Sequence, residues 1–231
     1  MRLDRFVSQS APMSRSQART LIRDGGVVVE GRAVRDAAHP VEAHQLVVVD
    51  GRPLVLPGPL YLMMYKPCGV LSATRDAHQE TVVSLLPDAF AARVHPAGRL
   101  DKDTSGLLLL TDDGAWSHRL TSPAHHCAKT YLAELARPID EGAAERLRLG
   151  LMLRGETRPT RPAGVELLAP TRARVVISEG RYHQVRRMFA AIGSHVVRLH
   201  RERIGGLCLD PDLAPGDWRA LTDRERSDVF A

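Results

Sequence analysis

An α+β fold in two unequal pieces is what the sequence predicts, on three observations. The first fifty or so residues read as two short helices followed by short valine-rich strands. A proline- and glycine-rich stretch, "RPLVLPGPL" at 52–60, comes next. Beyond it, apolar strand-like runs alternate with a few helical patterns to the end of the 231-residue chain. That length suffices for one large core or two smaller ones.

Leu3, Phe6 and Val7 recur at i, i+3, i+4, the spacing of an opening helix, and Pro12 breaks the chain after it. Ser14-Arg15-Ser16-Gln17 has the capping-box form, a serine hydroxyl for the N3 amide and a glutamine reaching back. The helix it opens buries Ala18, Leu21 and Ile22, with Arg15, Arg19 and Arg23 in a stripe alongside. Asp24-Gly25-Gly26 stops it, because glycine accepts the left-handed conformation. Val27–Val29, the turn at Glu30-Gly31 and Leu46–Val49 read as strands. Pro53, Pro57, Gly58 and Pro59 then mark a boundary. The expected organisation is a small unit at 1–55, a linker at 56–60 and a large unit at 61–231.

In the large unit, strands are expected at 61–65, 107–111, 130–135, 173–178 and 195–200. A helix carrying Trp116 and Leu120 is expected to be capped by Thr111 or Asp112, with Asp112 and Asp113 as helix-start acids. A second helix buries Val185, Met188, Phe189 and Ile192.

Hydrophobic residues make up 44% and charged residues 26% of the chain, proportions that fit a folded soluble protein. No window reaches transmembrane length, and the N-terminus has an early acid and no apolar core of a secretory signal. The three cysteines, Cys68, Cys127 and Cys208, are far apart and odd in number, so disulfides are not expected and a cytoplasmic location fits best. The net charge of +5 is unevenly placed. Residues 1–35 hold seven arginines against three acids, residues 174–203 seven against two, and residues 204–231 three against six. Two separated basic regions suggest a polyanionic partner touched at two places.

Motifs for a nucleotide cofactor, a P-loop and a serine-hydrolase elbow are absent from the sequence. His125-His126-Cys127 fits no common zinc spacing, so no metal is expected. Chemistry is better sought in "HPAGRLDKDTSGLLLLTDDG" at 95–114. Asp101 and Asp103 precede a strand edge, where a rigid scaffold presents functional groups, and either could be catalytic. Arg186 and Arg187, in "EGRYHQVRRMF" at 179–189, lie between buried helix positions, where one could pair with a carboxylate.

Residues 1 to about 50, through Ser14-Arg15-x-x-Ala18 and "LIRDGGVVVEGR", resemble an S4 RNA-binding domain. The resemblance implies that Arg15, Arg19 and their basic neighbours Arg2, Arg5 and Arg23 meet RNA phosphates, which the planar arginine fork suits. "YKPCGVL" at 65–71, "AGRLDKDTSGLLLLTDDG" at 97–114, "KTY" at 129–131, "EGRYHQVRRMF" and "LHRERIGG" at 199–206 occur in order behind it. Together these resemble the pseudouridine synthases, in the branch that modifies ribosomal RNA and carries an S4 domain. "TSPAHHCAKTY" and the stretch from Arg181 to Gly206 look most like the enzymes of 16S ribosomal RNA.

The resemblance implies a catalytic domain on a mainly antiparallel mixed sheet with flanking helices. It implies Asp101 as the catalytic aspartate, Tyr131 packed on the target base and Arg186 paired with the aspartate. It also implies that Arg99 helps displace the nucleotide, with Lys129 and Arg187 as further RNA contacts. Base flipping is implied, because a stacked uridine is out of reach. The attack is at C6 of the uracil ring, or at the ribose through C1′ or by proton abstraction. No cofactor is implied. The expected partner is ribosomal RNA or an assembling small subunit, met by a monomer. The rival expectations are an enzyme of large-subunit or transfer RNA, and a non-catalytic RNA-binding or assembly protein.

Overall fold

The computed structural model describes residues 1–41, 45–54 and 58–231. These divide into two compact units, Met1–Gly58 and Pro59–Ala231.

The N-terminal unit opens with α1 (Leu3–Ser10) and α2 (Arg15–Arg23). Leu3, Phe6 and Val7 of α1 and Ala18 and Ile22 of α2 are buried together, as their helical spacing requires. The capping box forms in full: Gln17 N donates to Ser14 Oγ, and Ser14 N to Gln17 Oε1. Gly25, at φ +86°, ends the second helix. Strands β1 (Val27–Val29), β2 (Arg32–Ala33), β3 (Val47–Val49) and β4 (Arg52–Leu54) pair antiparallel in the order β2-β1-β3-β4.

Strand β4 falls in the proline-rich stretch that reads as a boundary. Its Pro53 lies opposite Val48 on an edge strand, where a missing N–H removes no ladder bond on the open side. Leu56 and Pro57 of the expected linker lie outside the described residues.

The second unit is built on β5 (Tyr61–Lys66), β6 (His95–Pro96), β7 (Thr104–Thr111), β8 (Lys129–Leu135), β9 (Gly164–Ala169), β10 (Arg172–Ile177), β11 (Val196–Ile204), β12 (Leu207–Cys208) and β13 (Trp218–Ala220). Their order is β13-β5-β7-β11-β8-β10-β9, with β12 on β11 and β6 on β7. Only β7 and β11 run parallel, so the sheet is mixed and mainly antiparallel.

Alternate side chains of the inner strands β5 and β7 enter two cores. One holds Leu62, Met64, Leu108, Leu110, Tyr131, Ala133 and Leu199. The other holds Met63, Leu107, Leu109 and Ile204. Helices α3 (Asp88–Ala91), α4 (Gly114–Thr121), α5 (Glu141–Leu149), α6 (Gln184–Ala191) and α7 (Asp223–Asp228) complete the unit. Val185, Met188 and Phe189 of α6 and Ala144 and Leu147 of α5 enter the first core; Leu120 of α4 enters the second.

The cap of α4 differs from the expected one. Asp113 accepts from the amides of Ala115 and Trp116, so the cap falls later in the chain than Thr111 or Asp112. Asp112 is instead held by the Leu60 amide and the Arg93 guanidinium. Its carboxylate serves the junction with β5 rather than the helix start.

Candidate active site

Asp101 lies in the loop between β6 and β7, and its carbonyl accepts from the Thr104 amide, closing a turn at the strand's start. Its side chain is 32% exposed, so the carboxylate is open to solvent from one side. The loop is fixed from beneath by Lys66, at the end of β5. Lys66 is fully buried and donates from Nζ to the carbonyls of Pro67 (2.9 Å), Thr104 (2.9 Å) and Lys102 (3.4 Å). Burial pushes its pKa down to about 8, with Cys68, Asp103 and Asp101 favouring the charge.

Register brings two further groups to this place. The β7–β11 pairing sets Gly106 beside Arg201, and the β8–β11 pairing sets Arg201 opposite Tyr131. Only glycine fits at 106: a Cβ there would sit 2.3 Å from the Arg201 carbonyl oxygen, at a φ of +111°. Arg201 is buried, on the same face as Leu199. Its Nε donates to the Leu107 carbonyl (2.8 Å), and its Nη1 to the Arg99 carbonyl (3.3 Å) and the Tyr131 hydroxyl (3.4 Å). The guanidinium also lies 5.9 Å from the centre of the Tyr131 ring. Arg201 therefore ties the tyrosine to the backbone two residues before Asp101. Motif and spacing did not single it out. The signal was there: a charged residue at a position that strand alternation assigns to the core.

The expected Asp101–Arg186 pair is not what the structure holds. Arg186, in the first turn of α6, reaches Asp103 instead: its Nη2 lies 2.9 Å from Asp103 Oδ2 and 3.1 Å from the Asp103 carbonyl oxygen, while Nη1 bonds the Val196 carbonyl. The turn places Asp103 against Arg186 and Asp101 against His183, the cap residue of the same helix. Asp101 is met by His183, whose Nε2 is 3.5 Å from Oδ1. Among the described residues, the buried polar side-chain atoms without a partner are Ser10 Oγ, Thr104 Oγ1, Arg186 Nε and Arg201 Nη2. Three of these four belong to residues around the Asp101 loop.

The other expected RNA contacts divide. Arg99 is exposed. Arg187 is engaged internally with Glu156 (2.8 Å) and the carbonyls of Tyr182 and Arg154. Lys129 donates to the Cys127 carbonyl, and burial lowers its pKa. These internal bonds leave both less free to meet a phosphate than the sequence suggests.

In the N-terminal unit, Arg2, Arg15 and Arg19 converge on the fully buried carboxylate of Asp4 at 3.2, 3.0 and 2.8 Å. About half of each arginine side chain stays exposed. Burial alone would raise the Asp4 pKa, but the three arginines outweigh it and hold the carboxyl well below the usual carboxylate range. Arg5 and Arg23 are exposed beside this fan. Asp4 was legible as an acid on the Leu3–Val7 face of α1, yet it too escapes a reading by motif.

Among the described residues, no cluster of three or more potential metal ligands occurs, and no helix is long and apolar enough to cross a membrane.

Residues 60–191 match the family model described as RNA pseudouridylate synthase, and residues 1–47 match the S4 domain model. The chain is 51% identical over 230 residues to Ribosomal small subunit pseudouridine synthase A of Escherichia coli (strain K12), covering 99% of this chain and 100% of that protein. It is 45% identical to the protein of the same name from Vibrio cholerae, over the full length of both. A solved structure titled "Crystal structure of pseudouridylate synthase" superposes with a TM-score of 0.73 at 42% identity, covering 99% of each chain.

Proposed function

Because the chain belongs to the RNA pseudouridylate synthase family, we propose that it converts one uridine of 16S ribosomal RNA to pseudouridine with Asp101 as the catalytic carboxylate. The protein is an RNA pseudouridine synthase, an isomerase. The full-length likeness to small-subunit enzymes supports the substrate.

In the reaction the N1–C1′ bond of uridine breaks, the base turns, and C5 joins C1′. C5 loses a proton and N1 gains one, so the change is an isomerisation with no net oxidation. One carboxylate serves as nucleophile or base. A glycosidase would need two, about 5–10 Å apart.

The observation that carries the assignment to Asp101 is its incomplete neutralisation. It is partly exposed, and it is met by a histidine rather than an arginine, while Asp103 beside it is already paired with Arg186. A carboxylate not consumed by structure is free to act on a substrate. In this reading Tyr131 packs on the uracil, with Arg201 holding its hydroxyl. Arg186 acts on the loop through Asp103, and Arg99 helps to move the target nucleotide out of its stack. Residues 1–55 bind RNA phosphates through the half-exposed Arg2, Arg15 and Arg19 with Arg5 and Arg23, and residues 61–231 carry the chemistry. The protein works as a monomer, without a cofactor.

Pseudouridine mapping of ribosomal RNA from cells with and without this protein tests the substrate. Loss of one 16S position is the expected result. An unchanged 16S map with a position lost in 23S or transfer RNA would overturn the small-subunit assignment.

A further inference from the structure

The largest exposed aromatic surface near Asp101 is Tyr182, in the loop before α6, with 77% of the residue exposed. One face of its ring is occupied: it stacks on the His183 imidazole at 3.9 Å between centroids and 15° between planes. His183 in turn has its Nε2 3.5 Å from Asp101 Oδ1. The two rings thus form a short stack that begins at the candidate catalytic carboxylate and ends in solvent.

This geometry is strained. His183 lies at φ +48°, in the left-handed region that residues with a Cβ avoid. Such a conformation persists only where the surroundings over-determine it, and here they do. Arg181 is fixed by Glu179, Glu156 and the carbonyls of Arg158 and Pro159. The buried Gln184 side chain accepts from the Arg181 amide and donates to Glu179. Arg187 donates to the Tyr182 carbonyl. The backbone on both sides of the rings is anchored, while the Tyr182 ring is largely open to solvent beyond its histidine partner.

Resting on the reading that Asp101 acts on a flipped uridine, we propose that the outer face of Tyr182 stacks on the nucleobase next to that uridine. The chemistry favours a neighbouring base. A uridine taken out of its stack leaves each adjacent base with one uncovered face, and an aromatic ring covers such a face for any base. Tyr131 is buried and suits the target uracil, whereas Tyr182 lies at the rim, where the neighbouring nucleotide must pass. Little order remains to be imposed on binding, because the ring is already stacked and its loop is already fixed.

The test compares wild type, Tyr182→Ala and Tyr182→Phe on a 16S fragment containing the target uridine. It also uses two copies of the fragment in which the nucleotide on the 5′ or the 3′ side of that uridine is abasic. Dissociation constants are read at fixed salt. On intact RNA, Tyr182→Ala should weaken binding about tenfold and Tyr182→Phe should match wild type. On one of the abasic fragments the wild type and Tyr182→Ala should bind equally. An exposed position makes Tyr182→Ala safe for folding, which equal thermal unfolding confirms. Equal binding of all three proteins to intact RNA would overturn the proposal. So would a tenfold loss that persists on both abasic fragments, which would place the ring on the target base or elsewhere. Turnover by wild type on the intact fragment is scored separately. Tight binding without conversion, on the free fragment and on an assembling small subunit alike, would overturn the parent reading of the reaction, while the affinity ratios would still decide the stacking.

Discussion

Asp4 and Asp101 are two aspartates among arginines, and the molecule treats them in opposite ways. Asp4 is fully buried and bonded by three guanidinium groups, which hold its carboxyl far below the usual range. Asp101 is a third exposed and meets a histidine at 3.5 Å, although Lys66, Arg186 and Arg201 all bond to its own loop. Those three cations direct their donors to carbonyls, to Asp103 and to the Tyr131 hydroxyl, so they position the loop without a direct bond to the Asp101 carboxylate. A saturated carboxylate organises structure. An unsaturated one, in a loop held still by others, is available for chemistry.

This contrast can be broken at several points. The largest effect expected among the supporting residues is at Arg201. Arg201→Met should lower single-turnover pseudouridine formation about 100-fold, an effect of the size expected from misplacing groups near the reacting atoms. RNA affinity should stay within a few-fold, and Arg201→Lys should recover part of the rate. A parallel loss of affinity and rate would make Arg201 a packing residue only.

At Asp4, removing the carboxylate leaves three arginines facing one another. Asp4→Asn should destabilise the N-terminal unit by about 1–3 kcal/mol in denaturant unfolding, less than a fully buried pair because the arginines are half in water. The sign with pH is fixed. A depressed folded pKa gives stability that is present above the ordinary carboxylate pKa of about 4 and fades as pH falls below it. The variant should therefore lose stability at neutral pH but show a shallower decline in acid. Equal acid profiles would contradict the ion-pair account.

Deleting residues 1–55 should flatten the dependence of RNA affinity on salt, by a log–log slope of about 0.7 for each phosphate no longer neutralised. An unchanged slope would remove the arginine fan from the RNA interface. The smallest effect belongs to Asp103→Asn. Its side chain is 65% exposed and an asparagine still accepts from Arg186, so the rate should change by less than about fivefold, the worth of an exposed ion pair.

Central strands were readable in the sequence because they bury apolar residues continuously. The runs at 61–65, 107–111, 130–135, 173–178 and 195–200 all fall in or beside β5, β7, β8, β10 and β11, the inner strands of the sheet. The strands that the pattern does not reveal are at edges. β9 and β13 end the large sheet and β4 ends the small one, and an edge strand with one partner carries a weaker apolar signal. The helices with apolar spacing, α1, α2 and α6, all formed, although Leu21 is only partly buried and Ile192 falls at the C-cap of α6, also partly buried.

The candidate site was legible by motif and not by contact. Asp101, Tyr131 and Arg186 could be picked from their segments, but which carboxylate Arg186 would meet depends on a turn of two residues. His183 and Tyr182 stood in a motif without a role, since neither left-handed backbone nor ring stacking is written in residue spacing. Arg201 and Lys66 were the recoverable omissions. Each is a charge at a core position of a strand, and burying a charge demands a local reason.

Asp101, partly exposed and met by His183 rather than by an arginine, is the proposed catalyst. Single-turnover conversion of a 16S fragment by Asp101→Asn, with RNA affinity measured alongside, tests it most directly. The rate should fall at least about 1,000-fold, with affinity within a few-fold of wild type. Appreciable conversion by that variant, folded and bound to RNA, would contradict it.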